Sequence, residues 1–229
     1  PDGNLGRIGI TVGRNDPNRV YALVEATKNG LYKSEDGGLK WELVNSDPTV
    51  VTNRAFYFQD IAIDPTNENR LYNINQMITV SEDAGKTWEA SGLKSSRHIS
   101  RLAIHPRDHN TVYAGVMGNI YKPTSERGVY KSIDGGKKWK KVLFSNADSG
   151  AFELVMDPSN PRHLYASTWR LNRTPYSLNS GGEGSALWKS VDSGETWKEI
   201  SKNEGFPKDT LGIITENNNI GILYNKSGK

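Results

Sequence analysis

Glycoside hydrolysis needs two carboxylates about 5–10 Å apart across the scissile bond. The chain offers Glu25, Asp47, Asp60, Asp148, Glu153 and Glu183 in loops or at strand ends, and sequence spacing alone does not set such a distance. His105 and His109 are four residues apart, but no helical periodicity surrounds them to turn both rings to one side. His105 also takes the strand-end place held elsewhere by Asp64 and Asp157, so no metal site is expected. The chain has no cysteine, which removes disulfides, thiolate metal sites and a cysteine nucleophile. No glycine-rich phosphate loop stands between a strand and a helix, and no cofactor is implied. The richest recognition chemistry lies in the insertion from Trp169 to Ser185, which gathers Trp169, Arg170, Arg173 and Tyr176. Aromatic planes beside guanidinium groups suit a sugar, which stacks one face and hydrogen-bonds at its edge. They suit a polypeptide equally, because interface cores are rich in Trp, Tyr and Arg. Trp169 and Tyr176 would alternatively anchor the insertion on its own scaffold.

These residues need a frame, and composition bounds it. The chain has 229 residues, with 29 basic against 26 acidic side chains and a net charge of +3. That surplus is too small to argue for a nucleic-acid partner. No run reaches the roughly 18 apolar residues of a membrane span, so direct membrane insertion is not expected. Hydrophobic residues make up 35% of the chain, enough to build a core.

A repeat organises the chain. The pattern S-x-D-x-G-x-x-W occurs as Ser34-Asp36-Gly38-Trp41, Ser81-Asp83-Gly85-Trp88, Ser132-Asp134-Gly136-Trp139 and Ser190-Asp192-Gly194-Trp197, with serines 47, 51 and 58 residues apart. Before each copy come an apolar strand, a turn containing Pro and a strand carrying Tyr: Ile10 to Tyr21, Ile61 to Tyr72, Leu102 to Tyr113 and Leu154 to Tyr165. A fifth copy starts near Leu211 and reaches Tyr224. The third strand should end at the motif's Ser and the fourth open at its Trp. Gly, Asn, Asp and Pro punctuate short strands with no helical period. Four-stranded units of this length are the blades of a β-propeller.

The fold expected is therefore all-β: one propeller region over 1–229, with units at 5–46, 54–93, 97–145 and 150–202 and a partial fifth at 206–229. The motif itself reads as structural. Gly supplies a positive φ, while Asp and Ser hydrogen-bond backbone amides in the turn. The Trp is expected to bury its face between adjacent sheets. The run Lys137, Lys138, Lys140 and Lys141 reads as a solvated strand edge.

At these residues the sequence resembles the Asp-box class, also named for bacterial neuraminidase repeats. That box is found in sialidases, sortilin-type receptor propellers, xyloglucan-active glycosidases and photosystem assembly-factor propellers. The stretches Leu5 to Gly9, Ser96 to Arg101, Glu126 to Tyr130 and Arg173 to Pro175 more closely resemble large secreted bacterial proteins. These are described as glycosyl-hydrolase-like or sortilin-N-terminal-domain-like, and the likeness covers most of 1–212. It implies an extracellular or periplasmic location. Pro1 to Ile8 and Pro207 to Ile214 share P-x-x-x-L-G-x-I, and the block resembling 97–212 follows the block resembling 1–90, the reverse of the family's order. The chain reads as part of a larger propeller. Tyr21 to Glu25 resembles the strand-to-loop segment that carries a catalytic Asp in xyloglucan-active glycosidases, with Glu in place of Asp. Arg7-Ile8-Gly9 lacks the Pro of the sialidase signature, and no Tyr is marked as its nucleophile.

In a propeller the Pro turns and Asp boxes share one face, while the loops between strands two and three and the links between blades share the other. Long loops on a rigid scaffold are where binding residues belong. The reading is a binding or scaffold protein that recognises a polypeptide or glycan through that loop face, by Trp169, Arg170, Arg173, Tyr176, Arg97 and Tyr57. One alternative is a glycoside hydrolase, more xyloglucanase-like than sialidase-like, with Glu25 and Glu183 as its carboxylates. The other is a structural part of a larger extracellular assembly, with further blades or other chains as partners.

Overall fold

The computed structural model describes residues 4–51, 60–74 and 76–206. Tyr57 and the fifth copy of the repeat lie outside the described residues. Four antiparallel four-stranded meanders and one added strand account for the strands among the described residues. Blade 1 holds β1 (Ile8–Val12), β2 (Val20–Val24), β3 (Gly30–Ser34) and β4 (Glu42–Asn45). A one-turn helix, α1 (Pro48–Val51), follows. Blade 2 holds β5 (Asp60–Asp64), β6 (Asn67–Ile74), β7 (Ile78–Ser81) and β8 (Glu89–Ala90). Blade 3 holds β9 (Ile99–Ile104), β10 (Val112–Val116), β11 (Gly128–Ser132) and β12 (Lys140–Leu143). Blade 4 holds β13 (Ser149–Met156), β14 (Leu164–Arg173), β16 (Ala186–Ser190) and β17 (Lys198–Glu199), with β15 (Leu178–Ser180) paired to the far end of β14. Each third strand ends at the motif serine, and each fourth begins one residue after the tryptophan.

First strands touch first strands: β1 meets β5, β5 meets β9, and β9 meets β13. The sheets are thus arrayed radially with the first strands innermost, a β-propeller arrangement. The second strands sit mid-sheet with both faces covered, so β2 and β10 are buried at every residue. They read VYALV and VYAGV, continuous apolar runs without the alternation of a half-exposed strand. Each seam between blades has its own core. Tyr21, Leu23 and Leu31 meet Ile61, Ile63 and Leu71 between blades 1 and 2. Tyr72, Ile74 and Ile78 meet Ile99, Val112 and Ala114 between blades 2 and 3. Tyr113 and Val129 meet Ala151, Leu154, Leu164 and Ala166 between blades 3 and 4.

The repeated tyrosine latches each blade to the next. Tyr72 Oη–H donates to Gly135 O at 3.4 Å and Tyr113 Oη–H to Ser193 O at 2.7 Å, the same turn position of the following blade. Tyr21 Oη–H instead donates to Glu68 O at 3.3 Å, in the first turn of blade 2. Burial pushes all three phenols above their ordinary range. Gly136 and Gly194, both at positive φ, sit against these rings: a Cβ would stand 3.7 Å from Tyr72 Cε1 and 3.1 Å from Tyr113 Cε1.

The four Asp boxes share one hydrogen-bond pattern. The serine hydroxyl donates to Asp Oδ1 at 2.8 Å in every copy. The same hydroxyl oxygen accepts the amides of the Asp and of the Gly. Asp Oδ1 in turn accepts the amide four residues on, from Lys40, Thr87, Lys138 or Thr196. These amides and hydroxyls hold the aspartates below the usual range. The Thr196 hydroxyl and amide and the Ser190 hydroxyl bring Asp192 to about 2. Asp83 also lies at about 2: partial burial works upward, but the Thr87 hydroxyl and amide overcome it. A carboxyl depressed from the ordinary Asp value of about 3.9 contributes stability that is complete above that value and is lost as pH falls toward 2. Asp192→Ala should therefore melt below wild type at pH 6, and the gap should shrink as pH falls from 4 to 2. A gap independent of pH in thermal melts would contradict this assignment.

Three of the four tryptophans pack between adjacent sheets as expected, and Trp41 does not. Trp88, Trp139 and Trp197 are half-buried against the seam core on the side of the preceding blade. Trp41 is 43% exposed, because no preceding blade lies beside it among the described residues. Hydrogen bonding explains the tilt. The indole N–H of Trp41, Trp88 and Trp197 donates to the carbonyl of the box glycine at 2.8–3.1 Å, folding the ring over its own turn. Trp139 donates across the seam to Ser91 O at 3.0 Å. The same open side leaves Ile8, Ile10, Val12 and Leu43 exposed. A preceding blade covers this face in a closed propeller.

Candidate functional site

On the loop face, blades 3 and 4 build a platform around one buried cation. Arg127, immediately before β11, is 1% exposed. Its Nη1–H donates to Asp148 O at 2.6 Å, and its Nη2–H groups donate to Asn119 O at 2.7 Å and Leu171 O at 3.1 Å. The loop after β10, the link between blades 3 and 4, and the far end of β14 are thereby tied at one point. Burial works against the guanidinium's charge, and the field of Asp148 partly offsets it. Around this staple Met117, Ile120 and Leu171 form a small buried cluster, with Phe152 and Trp169 packed on it.

Above the platform β14 outruns its blade and folds back through β15 as a hairpin, pairing Leu171 with Ser180, Asn172 with Asn179 and Arg173 with Leu178. Thr174 closes the turn: its amide donates to Ser177 O, and its hydroxyl oxygen accepts the amides of Tyr176 and Ser177. Arg173 N–H donates to Ile120 O at 2.8 Å, fastening the hairpin to the loop of blade 3.

The sequence-selected residues divide by position. Trp169 is half-buried beneath the hairpin: its indole N–H donates to Ser180 Oγ at 3.0 Å, and its ring meets Phe152 edge-on at 5.2 Å. Tyr176 at the tip is 97% exposed and so does not anchor the loop. Arg170 and Arg173 are exposed on the same hairpin. Arg97 is exposed at φ 60°, on the link entering blade 3. Its neighbour His98 joins the platform through Nδ1 and Gly118 O at 2.8 Å, and through its carbonyl, which accepts from Met117 N–H.

Glu25 and Glu183 stand on blades 1 and 4. The Glu25 carboxylate accepts Arg7 N–H at 2.9 Å, while its backbone pairs with Gly6 and Arg7. Glu183 is exposed beside Gly182 and Gly184, and its carbonyl accepts from Asn146 and Ser149. Asp60 and Glu153 meet on a cation that sequence reasoning did not select. Arg101 Nε–H contacts Glu153 Oε1 at 2.7 Å, and Arg101 Nη1 lies 3.7 Å from Asp60 Oδ2. All three precede the apolar triplet of an innermost strand, Ile61-Ala62-Ile63, Leu102-Ala103-Ile104 or Leu154-Val155-Met156. Aligning those triplets would have exposed the trio. The sequence places Arg127 on the loop face, but its buried bridging role had no such signal, since that depends on carbonyls from three separate segments. Among the described residues no group of His, Asp and Glu is arranged to hold a metal ion.

Comparison with known proteins agrees with this architecture. The Sortilin-Vps10 family model, described as sortilin and neurotensin receptor 3, matches residues 29–143 and 76–208. A xyloglucanase of a Paenibacillus species is 25% identical over 237 residues, covering 86% of this chain and 21% of that protein. The vacuolar protein sorting/targeting protein 10 of Schizosaccharomyces pombe is 27% identical over 136 residues, covering 57% of this chain and 8% of that protein. Among solved structures, the GH74 enzyme of Niastella koreensis superposes with a TM-score of 0.66 at 20% identity, covering 84% of this chain and 29% of that one. This chain thus spans about a fifth of the length of the xyloglucanase it matches, and the structural likeness is one of fold. With one matched segment running from β3 of blade 1 to the end of blade 3 and the other from blade 2 through blade 4, the chain belongs to the Sortilin-Vps10 family.

Proposed function

We propose that this chain is a ligand-binding propeller module, extracellular or lumenal, which recognises a polypeptide or a glycan through the loop face of blades 3 and 4. One observation carries the reading. The β14–β15 hairpin holds a 97% exposed tyrosine and two exposed arginines on a backbone fastened to the neighbouring blade. A large aromatic kept in water at a stiffened tip contributes nothing to the core. It loses little freedom on binding, which favours affinity. The family supports the reading from another side, since its sortilin and VPS10 members are named as receptors and sorting proteins.

Titration of the chain with xyloglucan oligosaccharides and with a peptide panel tests it. Binding without turnover is expected, and Tyr176→Ala should weaken it about tenfold, the loss typical of a contact hot spot. Melting should stay unchanged, because the side chain touches almost nothing. Full affinity in Tyr176→Ala would remove the hairpin from the site.

A second reading, a glycoside hydrolase acting on xyloglucan, is favoured by the similarity to xyloglucanases. It assigns the reaction to carboxylates such as Glu25 and Glu183. Release of reducing ends from xyloglucan, abolished by Glu25→Gln or Glu183→Gln, would replace the binding reading with this one. The open apolar face of β1 supports a third role that is compatible with either: a segment of a larger assembly whose remaining blades cover Ile8, Ile10 and Val12.

A further inference from the structure

We propose that the strip running from Arg97 across Tyr121 to the β14–β15 hairpin docks an acidic polypeptide segment, one that presents Asp or Glu side chains beside apolar ones. This rests on the binding reading above and narrows its ligand.

Charge is the first argument. In the three loops that build the strip, the exposed charged residues are Lys94, Arg97, Lys122, Arg170 and Arg173 on one side and Glu183 alone on the other. The ion pairs among the described residues leave out Arg97, Lys122 and Arg170. A concentration of cations, three of them outside any such ion pair, attracts an anionic ligand and speeds its encounter.

Continuity is the second. His98 bonds to Met117 and Gly118, Arg127 gathers Asn119 and Leu171, and Arg173 bonds to Ile120. The five cations therefore stand on backbone already joined across two blades, so a ligand orders side chains only.

Donor and acceptor chemistry selects the class. Arg and Lys offer donors and no acceptor, whereas a carboxylate is acceptor-only and fits the guanidinium fork. A neutral glycan presents hydroxyls that need acceptors as well as donors, and Glu183 is the strip's one exposed carboxylate. Apolar surface then favours a peptide over an acidic glycan. Leu178 is 49% exposed directly across the hairpin from Arg173, and Tyr121 is 49% exposed beside Lys122. An exposed leucine paired with an exposed arginine on one face matches a segment that carries apolar side chains among its acidic ones.

Fluorescence anisotropy tests this with a labelled peptide of alternating Glu and Leu, its Gln-for-Glu counterpart, polygalacturonate and a xyloglucan oligosaccharide. The Glu peptide should bind at least tenfold tighter than the Gln peptide and weaken as salt rises. The double variant Arg170→Glu/Arg173→Glu should lose at least tenfold in affinity. The charge-matched control Lys86→Glu/Lys138→Glu, on the opposite face, should lose little, because exposed charges beyond about 8 Å are screened at physiological salt. Equal binding of the two peptides by wild type overturns the proposal without any variant. So does an equal loss in the control, or binding of polygalacturonate in place of the peptide. If a neutral ligand binds, loses affinity in Tyr176→Ala and ignores the charge reversal, the acidic-peptide assignment falls while the binding function stands.

Discussion

Arg127→Met is expected to lower the unfolding free energy by about 3 kcal/mol and the melting temperature by about 6–12 °C. Replacing a buried ion pair with apolar residues can be neutral when both partners go. Here the partners are the backbone carbonyls of Asp148, Asn119 and Leu171, which no substitution removes. Met fills the volume and takes the guanidinium donors from Asn119 O and Leu171 O, while Asp148 O keeps Leu171 N–H at 3.3 Å. Arg127→Lys should recover only part of the loss, since one ammonium cannot reproduce the planar fork over three separated oxygens. The damage should begin at the loop face. Amide exchange of Arg173, whose N–H bonds to Ile120 O, should quicken before that of β9 or β10. A variant that melts with wild type and keeps Arg173 protected would mean that Arg127 is not the staple.

Gly150→Ala is expected to cost about 3 kcal/mol or more, at the upper end for overpacking. A Cβ there would stand 2.4 Å from Met117 Cα, 2.7 Å from Met117 O and 2.8 Å from Met117 C. These are backbone atoms of the neighbouring blade, so no rotamer change relieves the overlap, and β13 must withdraw from the platform. The glycine is needed for space, not for an unusual φ. Gly205→Ala provides the contrast: it has φ 83° with nothing within 4 Å, so it should cost only the left-handed penalty of about 1–2 kcal/mol. Urea unfolding of both variants tests the difference. Comparable losses at the two positions would show that close blade contact at Gly150 is unimportant.

The blades were legible because their determinants are local. Each turn needs Ser, Asp and Gly at fixed offsets, each second strand needs an unbroken apolar run with its Tyr, and both recur about every fifty residues. The strand boundaries followed to within one residue at each tryptophan. The exposure of Trp41 did not follow, because burial depends on whether another sheet lies alongside. Trp41 and Trp139 share a motif, yet Trp41 caps its own turn in the open while Trp139 reaches across to Ser91.

The candidate site was legible as a list of residue types but not as an arrangement. Trp169 and Tyr176 looked alike in sequence, two aromatics in one arginine-rich insertion. Trp169 falls within β14, paired with β13 beneath the hairpin, whereas Tyr176 falls in the hairpin's turn and stands in water.

Sequence by itself determined that this chain folds as radial four-stranded sheets with one loop-rich face, because turn chemistry and apolar runs act over a few residues. Tertiary structure alone decided that Arg127 is a buried staple, that Asp60, Arg101 and Glu153 share one ion pair network, and that Tyr176 stands free. Each of those outcomes depends on distances between segments tens of residues apart, which are set only when one blade packs on the next.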